Sequence, residues 1–171
     1  WVDSYDLSIT PSYGHYTLRY PNGAQEIWAG TTNNLTTPSG APYLAKEDPS
    51  SGLLTMTFKD RSVYTFKQFA DESALYPAGT YLLTSIANLV GDSVTLKRDT
   101  AANNYRILYI SIVPNDPQTT LLKFNYSGAN LSSIEDLASP NLGEHRQVSY
   151  TFSNGNLSNV SQIASDSMTG S

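Results

Sequence analysis

The chain contains no cysteine. Disulfide frameworks, thiol nucleophiles and thiolate metal sites are therefore excluded. Charge is also scarce. Asp, Glu, Lys and Arg make up 15% of the 171 residues, against roughly 25% in an average globular domain. Only 10 residues are Lys or Arg, the net charge is −5, and Lys97-Arg98 is the only adjacent basic pair. Such a balance argues against nucleic acid, whose binding rests on many phosphate contacts. No run approaches the ~18 apolar residues of a helical membrane span. Helix signals are nearly absent. Only Lys67–Tyr76 reads as a short helix, to be stopped by Pro77. A mass of 18.7 kDa fits one domain or one segment of a larger repetitive body. Because the chain begins at Trp1 rather than Met, the expectation is a processed or excised piece.

What is present is polar, uncharged and rich in tyrosine. Ser, Thr and Asn fill 52 positions and Tyr fills 12. This composition points to an extracellular or cell-surface location. Strand signals run throughout. Tyr16, Leu18 and Tyr20 alternate on one face, Pro21-Asn22-Gly23 makes a turn, and Gln25–Trp28 returns. Asn-Gly suits a two-residue hairpin because it tolerates positive φ at both central positions. Leu54, Met56 and Phe58 alternate in the same way, Lys59–Ser62 turns, and Val63–Phe66 returns.

The second half repeats openly. Leu83-Thr-Ser-Ile86 recurs as Tyr109-Ile-Ser-Ile112, Leu131-Ser-Ser-Ile134 and Leu157-Ser-Asn-Val160, at spacings of 26, 22 and 26 residues. Second strands lie between them, at Ser93–Leu96, Thr120–Phe124 and Val148–Phe152. Periods of 20 to 50 residues mark quasi-one-dimensional architectures.

These units resemble the YD repeats of the Rhs family, found also in teneurins and in toxin-complex shell proteins. The resemblance rests on Leu131-Ser-Ser-Ile134-Glu-Asp136, the following loop with Pro140 and Gly143, Val148-Ser-Tyr150-Thr-Phe152 and Asn154-Gly155-Asn156-Leu157. Phe124-Asn-Tyr126-Ser-Gly128-Ala-Asn-Leu131 resembles the family's Tyr-Asp-x-x-Gly-x-Leu junction, with Asn125 and Ser127 near where Asp is usual. Pro21-Asn22-Gly23-Ala24 and Asp60–Phe66 fill the places of hairpins that often precede such repeats. The self-cleaving core with paired Asp-Pro-x-Gly motifs is missing, since Asp116-Pro117 is followed by Gln118 and Thr119. The resemblance implies an all-β fold of serial antiparallel hairpins in a continuous, curved sheet, with little or no helix. It implies a leading hairpin segment at 1–80 with a loop at 38–52, repeats at 81–163 and a polar tail at 164–171. The Pro- and Ser-rich Gly40–Gly52 stretch is expected to cover a sheet edge.

Chemistry finds few footholds. His15 and His145 are the only neutral-pH bases, and both read as solvated loop residues. No Gly-x-Ser-x-Gly elbow exists. Glu47-Asp48, Asp71-Glu72 and Glu135-Asp136 are adjacent carboxylates, but neighbours on a strand point to opposite faces and make no acid–base couple. No metal-ligand spacing, calcium loop or phosphate-cradling glycine loop is present, so no cofactor is expected. Trp28 is the one candidate for sugar binding by ring stacking, set against a role in cross-strand packing. Sequons stand at Asn34, Asn125, Asn130, Asn156 and Asn159, barely more than chance supplies.

The function expected is that of a non-catalytic extracellular structural module, serving a shell wall, adhesion or assembly. Its partners would be other segments or copies of the same sheet joined by edge pairing. The alternatives are a carbohydrate-binding β-sandwich that takes glycans and the subunit of an extracellular filament.

Overall fold

The computed structural model describes residues 5–31, 34–73, 75–100, 104–113, 119–137 and 144–166. They form an all-β protein of fourteen antiparallel strands, with no α-helix among the described residues. The chain divides into two compact units. The first comprises residues 1–95 and 99–106, the second 96–98 and 107–171.

In the first unit, the strands are β1 (Ser8–Ser12), β2 (His15–Arg19), β3 (Gln25–Thr31), β4 (Asn34–Thr36), β5 (Tyr43–Asp48), β6 (Leu53–Phe58), β7 (Val63–Gln68) and β8 (Tyr81–Ala87). Their order in the sheet is β4-β3-β2-β1-β8-β7-β6-β5. Each strand follows its chain neighbour, and the meander returns on itself where β8 pairs β1 through Ser8↔Leu82 and Ile9↔Tyr81. β4 and β5 run close together but exchange no ladder among the described residues, so the roll is open there. The inward face collects Ile9, Tyr16, Leu18, Trp28, Tyr43, Leu54, Met56, Phe66, Tyr81 and Leu83, all buried. Alternate positions place these side chains together, as the period of two requires.

β8 also has a covered outer face. Leu82 packs there with Tyr76 and Tyr105, and the Phe69 ring lies 4.6 Å from that of Tyr105. Residues 67–76 are not the helix expected from their composition. β7 runs on to Gln68, and Phe69 then exchanges backbone hydrogen bonds with Gly79 and Thr80. Ser73 Oγ accepts the N–H groups of Leu75 and Tyr76, a local turn that replaces a helical one. Packing of Phe69 and Tyr76 on Leu82 overrides the weak helical preference.

The 38–52 stretch is likewise not a covering loop. It contains β5, which pairs β6 from Tyr43↔Phe58 to Asp48↔Leu53. A glutamate at an inward position, Glu47, hides the alternation of this strand from a sequence reading.

The second unit holds the end of β9 (Ser93–Arg98), then β10 (Ile107–Ser111), β11 (Thr120–Ser127), β12 (Asn130–Asp136), β13 (Glu144–Ser153) and β14 (Asn156–Asp166), paired in chain order. The repeated motif falls on alternate strands. Leu83–Ile86 lies in β8, Tyr109 begins the copy in β10, Leu131–Ile134 lies in β12 and Leu157–Val160 lies in β14. The intervening second strands are β9, β11 and β13. Burial fades along this series. Ile107, Ile110 and Phe124 are buried, β13 is half-buried at best where described, and residues 156–162 of β14 are all exposed. β14 continues to Asp166, into the stretch expected as a tail from 164; 167–171 lie outside the described residues.

The hairpins share a turn, and it is not the one Asn-Gly suggested. Tyr20 N–H donates to Ala24 C=O and Gly23 N–H to Tyr20 C=O, each at 2.9 Å. Only Gly23 has positive φ, at 84°. This is a three-residue loop, a type I turn closed by one left-handed residue, and Pro21 sets its first φ. Phe58–Ser62 repeats the same two bonds with Arg61 at the left-handed position, φ 65°. The two-residue Asn-Gly turn occurs instead at Asn154-Gly155, where φ is 52° and 79°. A left-handed conformation costs a residue with a Cβ about 1–2 kcal/mol, partly offset by the greater unfolded freedom of glycine. Arg61→Gly is therefore expected to stabilise the protein by about 0.5–1 kcal/mol, and Gly23→Ala to destabilise it by about 1 kcal/mol. Urea unfolding of both variants checks the opposite signs.

Candidate functional site

The interior of the first unit is an ordered carboxylate–phenol system. Glu47, on β5, is 7% exposed. Tyr16 Oη, from β2, donates to its Oε2 at 2.8 Å, and Tyr81 Oη, from β8, donates to its Oε1. Both oxygens of the Glu47 carboxyl group are thus engaged as acceptors. A second group surrounds Glu26 on β3. Tyr43 Oη donates to its Oε1 at 2.5 Å, Tyr20 Oη to its Oε2 at 2.9 Å, and Trp28 Nε1–H donates to Tyr43 Oη at 3.1 Å. A run of tilted rings continues from Trp28 to Tyr43 (5.7 Å), Phe58 (5.5 Å) and Tyr64 (4.7 Å).

Trp28 is thus placed in the core. It has no exposed surface, and its ring and N–H are both engaged by Tyr43. It presents no face on which a sugar could stack from solvent. His15 opens β2 rather than sitting in a loop, and its Nδ1 lies 3.1 Å from Tyr13 O. His145 is a ladder position of β13 opposite Ser165, not a loop residue. The adjacent carboxylates diverge as the strand period demands. Glu47 points inward, while exposed Asp48 accepts from Ser50 and Ser51, whose hydroxyls hold its carboxyl below the usual range. Glu135 accepts from Asn125 Nδ2 at 2.5 Å and lies 3.5 Å from Lys123 Nζ. Asn125, a sequon, is therefore tied to its neighbours. Among the described residues no three His, Asp or Glu gather as a metal site.

The other candidate is an edge. β14 spans 11 residues and pairs β13 on one side, from Glu144↔Asp166 to Ser153↔Asn156. Among the described residues no strand pairs its other side. Residues 147–165 contain no charged side chain and no proline. Charges, prolines and short length are the devices that protect edges, and β14 uses none of them over this stretch. The other strands with one side unpaired among the described residues, β4 and β5, have three and six residues.

Sequence reasoning expected edge pairing without locating the edge, and it missed the carboxylate–phenol groups. Tyr16 reads as one of an alternating face and Glu47 only as one of an adjacent carboxylate pair. The available signal was the phase, since each glutamate occupies the inward position of a strand whose other inward residues are aromatic or apolar. No protein-family model and no curated protein matches the chain.

Glu47→Ala strands two buried phenols, each costing about 1–3 kcal/mol. Thermal or urea unfolding is expected to show a loss of about 2–4 kcal/mol, and Glu47→Gln, which keeps an acceptor, a smaller one. Burial first, and the hydrogen bond to a glutamate second, raise the Tyr43 and Tyr81 hydroxyls above the usual phenol value. The folded state then keeps protons that the unfolded state releases above about pH 10. The stabilisation is complete below that pH and is lost as pH rises through the folded values. Alkaline titration of stability is expected to fall from about pH 10, less steeply by roughly one proton for each of Tyr43→Phe and Tyr81→Phe.

Proposed function

We propose that this chain is a non-catalytic structural module, a length of β-repeat wall of the Rhs/YD kind, that extends by accepting a further strand along β14. The observation that carries the reading is the phase of the repeat. Every earlier copy of the motif lies on a strand followed by a second strand: β8 by β9, β10 by β11 and β12 by β13. The fourth copy, Leu157–Val160, lies on β14, whose outer side has no strand among the described residues. Serial pairing of chain neighbours also suits a wall better than the crossed connections of a carbohydrate-binding sandwich. Trp28, the ring that favoured sugar binding, is buried. The polar, cysteine-free surface fits an extracellular setting.

The first unit fits the role of an anchor. Its roll turns back on itself through β1 and β8 and stays open between β4 and β5, with the Glu47 and Glu26 groups fixing the inner face. The second unit then supplies the growing sheet.

The test is strand addition. A labelled peptide with the sequence of residues 144–153, a second strand of the repeat, is added to the chain and followed by fluorescence anisotropy. Saturable binding is expected, with protection from hydrogen exchange appearing in 156–166. Val160→Lys, at a position 50% exposed, is expected to weaken binding about tenfold by placing a charge on the added edge. No binding at any peptide concentration, or equal binding by a scrambled peptide, would overturn the reading.

A further inference from the structure

We infer that, in the absence of a further strand, β14 pairs with β14 of a second copy of this chain in antiparallel, two-fold fashion, closing the edge as a dimer rather than propagating a filament. This inference rests on the strand-accepting role of β14 proposed above and names the partner.

Three observations lead to it. The first is length. An edge of 11 residues, unpaired on one side among the described residues, needs a partner of similar length, and β4 and β5, the other strands with one side unpaired there, have three and six. A head-to-tail contact of β14 with β4 or β5 would leave much of β14 unpaired, so the matching edge is β14 itself. The second is register. Asn156–Asp166 has its midpoint at Ser161, so full antiparallel overlap of two copies puts Ser161 opposite Ser161. Leu157 then faces Ser165 of the other copy, Val160 faces Gln162, and Asp166 faces Asn156. No like charges meet directly, the repulsion that would otherwise select against this register. Asp166 is the only charged residue of the strand. The third is exposure. Residues 156–162 are exposed, Val160 at 50% and Leu157 at 38%, so no described residue covers this stretch. Pairing through identical edges is isologous, and it uses up the longest free edge among the described residues, so assembly through β14 stops at two.

The chain has no cysteine, so single-cysteine variants report contacts without background. Directly opposed residues in an antiparallel pair have Cα atoms about 4.5–5.5 Å apart, within disulfide reach. Under diamide, Ser161→Cys is expected to form a covalent dimer in high yield. Leu157→Cys and Ser165→Cys are each expected to remain largely monomeric alone and to cross-link when mixed. Sedimentation velocity of the unmodified chain is expected to move from monomer to dimer with concentration and go no further. Val160→Lys, exposed and remote from the core, is expected to weaken the dimer at least about tenfold.

Ser161→Cys that stays monomeric, equal cross-linking by all three cysteines, or species that grow past the dimer would each overturn the inference. The strand-accepting reading fails separately. If the 144–153 peptide binds and protects β14 while the chain stays monomeric, the wall role stands and the dimer does not.

Discussion

A β-strand has two hydrogen-bonding edges, and both must be satisfied by something. The two units of this chain meet that constraint differently. The first turns its meander back on itself, so that β8 finds β1. The second adds strands in chain order and arrives at β14 with one side unpaired among the described residues. The inner roll, the fading burial and the proposed role all follow from these two solutions.

Closing a sheet brings its inner face together, and the inner face here is not purely apolar. Glu47 would be costly to bury alone, since an unpaired buried charge loses its hydration. Tyr16 and Tyr81 come from β2 and β8, while Glu47 comes from β5. The three strands are therefore tied across the interior by a group that tolerates no other register. A one-residue slip of β5 would turn Glu47 outward and leave both phenols without their acceptor. Polar satisfaction thus specifies the roll, and the apolar residues around it, Leu54, Met56, Phe66 and Leu83, stabilise it.

Much of this was legible in the residues. The alternation Tyr16-x-Leu18 and Leu54-x-Met56 located real strands, and the four-fold Leu-x-Ser-Ile motif located alternate strands of the later sheet. The turns were found, though their type was exchanged. Asn22 stays at ordinary φ because Pro21 directs a type I turn, and Asn154, with no proline before it, takes the left-handed conformation. β5 escaped notice because Glu47 broke its apolar phase, and its partners are 31 and 34 residues away. The false helix at 67–76 arose from Asp71, Glu72 and Leu75, which are exposed, while Phe69 and Tyr76 obey tertiary contacts. The return of β8 to β1 rests on two paired residues and has no local signature. Trp28 was legible as a ring for packing or for sugar stacking, and the structure decides for packing; nothing local reveals which face of β3 the roll encloses.

The central claim is that β14 is satisfied on one side only. In an antiparallel pair, successive residues point their N–H groups alternately toward the partner and away from it. Residue-resolved hydrogen exchange of the dilute chain reads this directly. Along 156–166, alternating protection is expected, with every second amide slowed by β13 and the rest exchanging near the unprotected rate. Uniform protection along β14 in the dilute monomer would contradict the account, because it would mean that the outer edge is already covered.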